Sequence, residues 1–126
     1  MAGKNFSKKR QMILDTIRST NSHPSARQVY DTLKKDAPDL SLGTVYRNLS
    51  KLSSDGTIIK LDVGTGSEHF DGDISPHAHL LCTGCGKIID IFADYTLMLK
   101  DDAQEKSGAC VSECSVLFKG NCADCQ

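Results

Sequence analysis

Two Cys-x2-Cys pairs constrain this chain more than any other feature of its sequence. Cys82 and Cys85 form the first pair, Cys122 and Cys125 form the second, and residues 86–121 lie between them. Four thiolates on two turns are a common way to hold zinc, and they complete a tetrahedron with no open position. The spacing therefore predicts a structural zinc site. A redox-active pair is the competing interpretation, but the strand-to-helix setting that lowers a thiol pKa is missing from the sequence.

A second type of ligand immediately precedes the first pair. His77 and His79 are two residues apart, so on a β-strand both side chains point to one face of the sheet. Cys82 has the opposite parity and points to the other face. The pattern predicts two separate metal sites rather than one mixed cluster. Candidates for further ligands of the histidine site are His23, His69, Asp71 and Asp90.

Imidazole and carboxylate groups leave the choice of metal open, because they suit Fe(II), Mn(II) and Zn(II) alike. Asp90 belongs to the strand expected after the first cysteine turn, near enough to share a sheet with His79. His23 lies between the first two predicted helices, and it could equally be a simple loop histidine. As a ligand it would couple metal occupancy to the relative orientation of the two halves of the chain.

The first half of the chain has the pattern of three helices. The first is predicted over residues 7–19, with Ser7 as its cap. The second starts with a capping box formed by Ser25 and Gln28, and the third is capped by Ser41. Each carries an apolar stripe at helical spacing, so the three are expected to share one core.

A two-stranded ribbon is predicted next, with strands at residues 57–63 and 67–70 joined by Gly64-Thr65-Gly66. Three helices and a ribbon describe a winged helix-turn-helix, whose third helix enters the major groove of DNA. Residues 1–60 contain 11 Lys or Arg against 5 Asp or Glu, whereas residues 61–126 contain 4 against 11. A solvated helix face is the alternative interpretation. The predicted DNA-contacting residues are Thr44, Tyr46, Arg47, Asn48 and Lys51, with Arg47 suited to a guanine edge.

The predicted fold is α+β: an N-terminal winged helix-turn-helix over residues 1–70, a hinge at 71–76, and a small C-terminal α/β dimerisation domain at 77–126. The elements expected in this second domain are strands at 79–81 and 87–92, a helix at 96–106, and a last strand at 109–118. Such a domain is too small to stand alone, so we expect it to dimerise through a sheet edge or face.

Cys110 and Cys114 share parity on that predicted last strand, at a separation of roughly 13 Å. This is too far for a disulfide without rearrangement. We expect both to be buried apolar residues; the alternative is a pair of thiols that add redox sensitivity.

The sequence shows neither an apolar signal region at its start nor an apolar run of membrane-spanning length. We therefore expect a cytoplasmic protein without a membrane partner, in which thiols stay reduced and favour metal binding over disulfides. No general base or substrate-pocket motif is visible, so we do not expect an enzyme.

These motifs together resemble the ferric uptake regulator (Fur) superfamily from about residue 7 to Cys125. The segments that carry the resemblance are residues 23–26 (His-Pro-Ser-Ala), 41–49 (Ser-Leu-Gly-Thr-Val-Tyr-Arg-Asn-Leu), 69–71 (His-Phe-Asp) and 77–87, with Asp90 and the second cysteine pair. The resemblance implies a homodimeric, metal-dependent transcriptional repressor that binds a palindromic operator in double-stranded DNA.

The likeness is greatest to the peroxide-responsive members of the superfamily, because iron-sensing relatives usually carry glutamate where Asp90 stands. It implies a regulatory Fe(II) or Mn(II) beside the structural zinc, and peroxide sensing by metal-catalysed oxidation of His23 and His77. The implied ligands of the regulatory metal are His23, Asp71, His77, His79 and Asp90. A repressor that senses iron or zinc by occupancy alone is the alternative.

The sequence departs from the family pattern at the positions of one further metal site. Some relatives have another metal site beside the two histidines, but here its positions hold Pro76, Ala78 and Cys114. We therefore expect that site to be absent. The resemblance also makes His69 a ribbon residue beside the regulatory site rather than a ligand.

Overall fold

The structure, a computed structural model, describes residues 2–64, 66–75 and 77–126, with side chains of the first helix described from Lys8 onward. Thr65, at the centre of the predicted ribbon turn, and Pro76, at the end of the predicted hinge, lie outside the described residues. The chain divides into two units, Met1–Ile74 and Ser75–Gln126.

Three helices form most of the first unit: α1 at Ala2–Arg18, α2 at Ala26–Leu33 and α3 at Leu42–Ser54. Helix α1 begins earlier than predicted, so Ser7 lies inside the helix and is not its cap. The predicted capping box of α2 is confirmed, since Gln28 N donates to Ser25 Oγ at 3.2 Å and Ser25 N donates to Gln28 Oε1 at 2.8 Å. Ser41 caps α3 as predicted.

The apolar stripes of these helices meet in one core. Ile13, Ile17, Val29, Val45 and Leu49 are fully buried there, and Phe70 closes the core from the ribbon. Truncating one such side chain to alanine typically costs about 2–5 kcal/mol, because a cavity remains. The core thus holds α3 rigidly, with its opposite face turned to solvent.

The ribbon follows α3 as two antiparallel strands, β1 at Ile59–Asp62 and β2 at Glu68–Asp71. Strand β1 is shorter than predicted, whereas β2 has the predicted length and lies one residue later in the chain. Gly64 and Gly66, which flank the turn, have φ values of 79° and 84°, a left-handed conformation that glycine adopts without steric cost. Asp71, the first residue of the predicted hinge, is the last residue of β2 and pairs with Ile59. Three helices and this ribbon make a winged helix-turn-helix.

The second unit contains β3 at Ala78–Cys82, β4 at Ile88–Ile91, α4 at Tyr95–Ser107 and β5 at Leu117–Gly120. A short 3-10 turn follows at Ala123–Cys125. The sheet has the order β4-β3-β5, in which β3 is antiparallel to β4 and parallel to β5. Strand β3, between the other two, carries His79 and Cys82, and His77 immediately precedes it.

The predicted last strand at Ala109–Phe118 is wrong in its first eight residues, since β5 begins only at Leu117. Leu117 pairs with His79, so a β5 that began at Ala109 would need partners before Ala78, where β3 has not begun. The parity argument for Cys110 and Cys114 consequently does not apply. The expectation that both are buried is also wrong within this chain, because Cys110 is exposed and Cys114 is half-buried.

Candidate metal centres and nucleic-acid interface

The four predicted zinc ligands converge in the second unit. The sulfur atoms of Cys82, Cys85, Cys122 and Cys125 all lie within 4.8 Å of one another. The first pair sits on the turn after β3, where Cys82 N donates to Lys87 O at 2.8 Å and Gly86 N donates to Cys82 O at 2.8 Å. The parallel pairing of Cys82 with Gly120 brings the second pair alongside.

The packing is tight at one point of this cluster. A Cβ atom on Gly84 would lie 3.0 Å from Cys125 Sγ, so a larger residue between the two cysteines of the first turn would force Cys125 to shift. Cys85 Sγ and Cys122 Sγ are 3.8 Å apart. Four sulfurs held about 2.3 Å from a central zinc are also about 3.8 Å apart, so the cluster has the dimensions of a tetrahedral thiolate site.

The four thiols do not ionise alike. The backbone N–H of Cys122 donates to Cys82 Sγ at 3.3 Å and, with other backbone donors, lowers the pKa of Cys82 to about 6. Hydrogen bonds to the sulfur atoms of Cys122, Cys82 and Cys85 raise the pKa of Cys125 to about 12, because they hold the proton on Cys125. The cluster therefore needs a cation before all four sulfurs can be thiolates together.

A second candidate centre in the same unit is built from two imidazoles and one carboxylate. His77 Nε2 and His79 Nε2 each lie 3.2 Å from Asp90 Oδ1. His79 and Asp90 are paired residues of β3 and β4, which places the carboxylate opposite the imidazoles. The predicted parity is confirmed, because both histidines face Asp90 while Cys82 joins the cysteine cluster.

His77 has additional support that the sequence did not reveal. Its Nδ1 lies 2.7 Å from Ser75 O, and its ring stacks on Phe92 at 5.0 Å between centroids. A carbonyl oxygen only accepts, so Nδ1 carries a proton, and Nε2 is the nitrogen that a metal would use. No sequence spacing marks Ser75 or Phe92, because their roles depend on how the chain turns before and after the strands.

The remaining two predicted ligands form a pair in the first unit. His23 Nε2 lies 3.3 Å from Asp71 Oδ2, and the two residues are only 2% and 5% exposed. His23 follows α1 in the α1–α2 loop and has a φ of 56°. Asp71 Oδ1 also accepts from Asp73 N at 2.9 Å. A buried imidazole and carboxylate at this distance have the donor chemistry of a divalent metal site.

The solvent-facing side of α3 carries most of the predicted DNA contacts. Tyr46 is 54% exposed, and Arg47 and Lys51 are exposed beside it. Arg47 Nη2 donates to Thr44 Oγ1 at 3.1 Å, which directs the guanidinium along the helix surface. A cleft of about 370 Å³ adjoins this face, and Ser50 and Lys60, which sequence reasoning did not select, contribute to its lining.

Asn48 corrects the predicted contact surface. It is fully buried, and its Nδ2 donates to Thr44 O at 2.9 Å, so it does not reach the solvent-facing side. Helical spacing explains the burial, since Asn48 is three residues after Val45 and four before Leu52, both of which face the core. Its amide is thus part of the helix support.

Comparison with known protein families identifies the family that has this combination of sites. The family model described as "Ferric uptake regulator family" matches residues 1–119. The chain belongs to the ferric uptake regulator family. Members of this family are metal-responsive transcriptional repressors that bind DNA as dimers, and not enzymes.

Within the ferric uptake regulator family, relatives with peroxide in their names are similar to this chain. The peroxide-responsive repressor PerR of Staphylococcus aureus (strain USA300) is 32% identical over 125 residues, covering 99% of this chain and 84% of the relative. The structure of the Campylobacter jejuni peroxide stress regulator has 30% identity and a TM-score of 0.80, over 96% of this chain and 91% of that one.

The fold extends to an iron-named member of the ferric uptake regulator family. The Helicobacter pylori ferric uptake regulator matches 95% of this chain and 83% of its own, with 21% identity and a TM-score of 0.82. At that identity the match shows the shared fold. Among the described residues, no helix combines the length and apolar character needed to cross a membrane.

Proposed function

We propose that this chain is a peroxide-responsive repressor whose regulatory metal makes it sensitive to oxidation. The observation that carries the proposal is the trio of His77, His79 and Asp90, in which one carboxylate oxygen lies 3.2 Å from both imidazole Nε2 atoms. Support also comes from the peroxide-named relatives in S. aureus and C. jejuni, each at least 30% identical to this chain.

The regulatory ion, Fe(II) or Mn(II), takes five ligands in this proposal. His23 and Asp71 come from the first unit, while His77, His79 and Asp90 come from the second. Three imidazoles and two carboxylates suit either metal. An ion that draws on both units would favour one arrangement of them, so its arrival or loss would change how the winged helices are presented to DNA.

The residues of this chain respond to peroxide through their imidazoles. An Fe(II) ion held by these residues would supply one-electron reducing chemistry towards peroxide beside its ligands. His23 and His77 are the side chains proposed to gain an oxygen atom there. An oxidised imidazole is a poorer ligand, so affinity for the metal falls and the repressor leaves its operator. Mn(II) is much less prone to this one-electron step, so it would support DNA binding without peroxide sensitivity.

The four cysteines have a separate, structural role in the proposal. Zn(II) bound by Cys82, Cys85, Cys122 and Cys125 would leave no open position, because all four tetrahedral sites are filled by thiolates. It would tie β3 to the segment after β5, and its binding free energy would be part of the folding free energy of the second unit.

DNA binding in this proposal requires two copies of the chain. Arg47 reads a base edge, Lys51 contacts a phosphate, and Tyr46 and Thr44 lie beside them on α3. Leu97 and Met98 of α4 are 61% and 70% exposed, a degree of apolar exposure that a second copy would cover. A homodimer would present two winged helices to a palindromic operator, and it would act in the cytoplasm.

A DNA-binding titration with an operator duplex tests the proposal. Zinc-loaded protein is charged with Fe(II) or Mn(II), and its affinity is measured with and without a brief exposure to hydrogen peroxide. We expect both forms to bind and only the iron form to lose affinity after peroxide. Equal affinity of the peroxide-treated and untreated iron forms would instead favour the alternative repressor, which senses metal by occupancy alone.

A further inference from the structure

His69 lies outside the proposed ligand set, yet it contacts the loop that holds one ligand. Its Nδ1 is 2.8 Å from the backbone oxygen of His23. A carbonyl oxygen accepts and never donates, so the His69 ring must carry its proton on Nδ1. The contact spans 46 positions in the sequence. It therefore fixes the α1–α2 loop against the ribbon rather than organising a local turn.

The neighbouring backbone strengthens the same attachment. Phe70 N donates to Pro24 O at 3.0 Å, and Ser25 forms an isolated antiparallel bridge with His69. Two successive carbonyls of the loop, those of His23 and Pro24, thus accept from two successive residues of β2. One of the two donors is a side chain, so this part of the attachment depends on residue type.

The backbone of His23 needs such an attachment. Its φ of 56° lies in the left-handed region, which residues with a Cβ seldom adopt. A left-handed residue persists where surrounding contacts hold it, and the hydrogen bond from His69 holds the carbonyl of this residue. This conformation directs the His23 ring to Asp71, with 3.3 Å between Nε2 and Oδ2.

The geometry of β2 relates His69 to Asp71. His69 and Asp71 are two residues apart on β2, so their side chains point to the same face. Strand β2 therefore supplies the carboxylate directly and determines the position of the partner imidazole through His69.

We propose that His69 is a positioning residue for the regulatory metal: its Nδ1–H donates to the His23 carbonyl and holds the His23 ring at ligand distance from Asp71. The inference rests on the proposed function, because it assumes that His23 and Asp71 are metal ligands. Loss of a hydrogen bond that orients a ligand typically lowers metal affinity 10–100-fold. We expect a loss of that size when the His69 donor is removed.

The test compares two substitutions in the full-length, zinc-loaded protein. His69→Phe keeps an aromatic ring of similar size but removes the donor, whereas His69→Asn places an amide N–H where Nδ1 stood. Mn(II) affinity is measured by the electron paramagnetic resonance signal of free Mn(II), and zinc content and metal-free melting are recorded for each variant. We expect His69→Phe to bind Mn(II) about 10–100-fold more weakly, and His69→Asn to stay within a few-fold of the original chain.

The wild-type protein offers an independent readout. In the absence of Mn(II), the ring ¹⁵N shifts of His69 should be those of the Nδ1–H tautomer. An Nε2–H tautomer would overturn the proposal, and so would unchanged Mn(II) affinity in His69→Phe. Equal losses in the two variants would show that the other ring nitrogen is needed and would make His69 a ligand. If the original chain itself bound no Mn(II), or bound it equally well with His23→Ala, the proposed function would fail instead.

Discussion

Arg47 is held before any DNA arrives, because Thr44 Oγ1 accepts from its guanidinium at 3.1 Å and Ser41 Oγ lies 2.8 Å from the same hydroxyl. A side chain ordered in the free protein loses less entropy on binding than a mobile one. Gly43 contributes by leaving room, since a Cβ there would lie 3.3 Å from Arg47 Nη1. Arg47 is thus better suited to reading a base than Lys51, whose side chain has no hydrogen bond or ion pair among the described residues.

A pair of alanine substitutions separates these two roles. Arg47→Ala should cost about 1–3 kcal/mol on the operator and relax specificity at one base position. Lys51→Ala should weaken binding about equally on all sequences and flatten the salt dependence, because a phosphate contact releases counterions without reading sequence. Fluorescence anisotropy on operator and scrambled duplexes at several salt concentrations measures both effects. Equal losses on the two duplexes for both variants would contradict the assignment.

Asp90 gives a second prediction at the scale of one side chain. Its Oδ1 lies 3.2 Å from two imidazole nitrogens, so the length of this side chain sets the position of the carboxylate relative to both histidines. Asp90→Glu adds one carbon–carbon bond of about 1.5 Å and shifts the carboxylate relative to both histidines. We expect metal-dependent DNA binding to survive while the iron form needs about tenfold more peroxide to release DNA. A dose–response curve of operator binding measures this, and an unchanged midpoint would count against a role for this carboxylate.

Among the elements, β3 and β5 show which features of a strand can be predicted from the sequence. The period of two predicted that His77 and His79 share a side and that Cys82 belongs to another site, because strand parity depends only on local backbone geometry. The extent of β5 could not be predicted in that way. A strand ends where its partner ends, and the partner of β5 is β3, which lies far away in sequence.

In α3, residue type and helical spacing point to different faces for Asn48. Its polarity predicts a place on the DNA face, whereas its spacing from Val45 and Leu52 places it on the buried side. The hydrogen bond from its Nδ2 to Thr44 O offsets part of the cost of that burial, whereas its Oδ1 has no hydrogen-bond partner among the described residues. Composition cannot reveal such a bond in advance. His69 is similar, since its contact with the His23 carbonyl requires the wing to fold back on the first loop.

The cysteine cluster is an element-scale feature with a measurable contribution to stability. Cys122→Ser should release the zinc and destabilise the second unit by about 4 kcal/mol, the value expected for a cross-link that closes a loop of this length. Cys110→Ser is the matched control, because Cys110 is exposed and lies outside the cluster. Zinc content by mass spectrometry and thermal melting report the outcome. Normal zinc content in Cys122→Ser would remove this residue from the site.

For the whole molecule, the decisive measurement is which residue gains an oxygen atom when the protein is exposed to peroxide. We expect a gain of one oxygen atom on His23 or His77 in the iron-loaded protein and none in the manganese-loaded protein, because the oxidation occurs beside the metal. Peptide mass spectrometry after brief exposure to peroxide locates the modification. The variant with both Cys110→Ser and Cys114→Ser serves as control and should respond like the original chain. Loss of DNA binding with intact histidines and an oxidised Cys110 or Cys114 would move the sensor to the thiols.

The long separation between the two cysteine pairs has a consequence for folding during synthesis of the chain. Translation delivers the first unit, Met1–Ile74, well before Cys122 and Cys125 exist, so the winged helix is free to fold while the ribosome is still working. Cys82 and Cys85 must wait, since their partners emerge some 40 codons later. During that interval the growing chain contains the complete winged helix, but its four-cysteine cluster is incomplete. Zinc held by all four cysteines would therefore join the protein only after residue 125 has been synthesised.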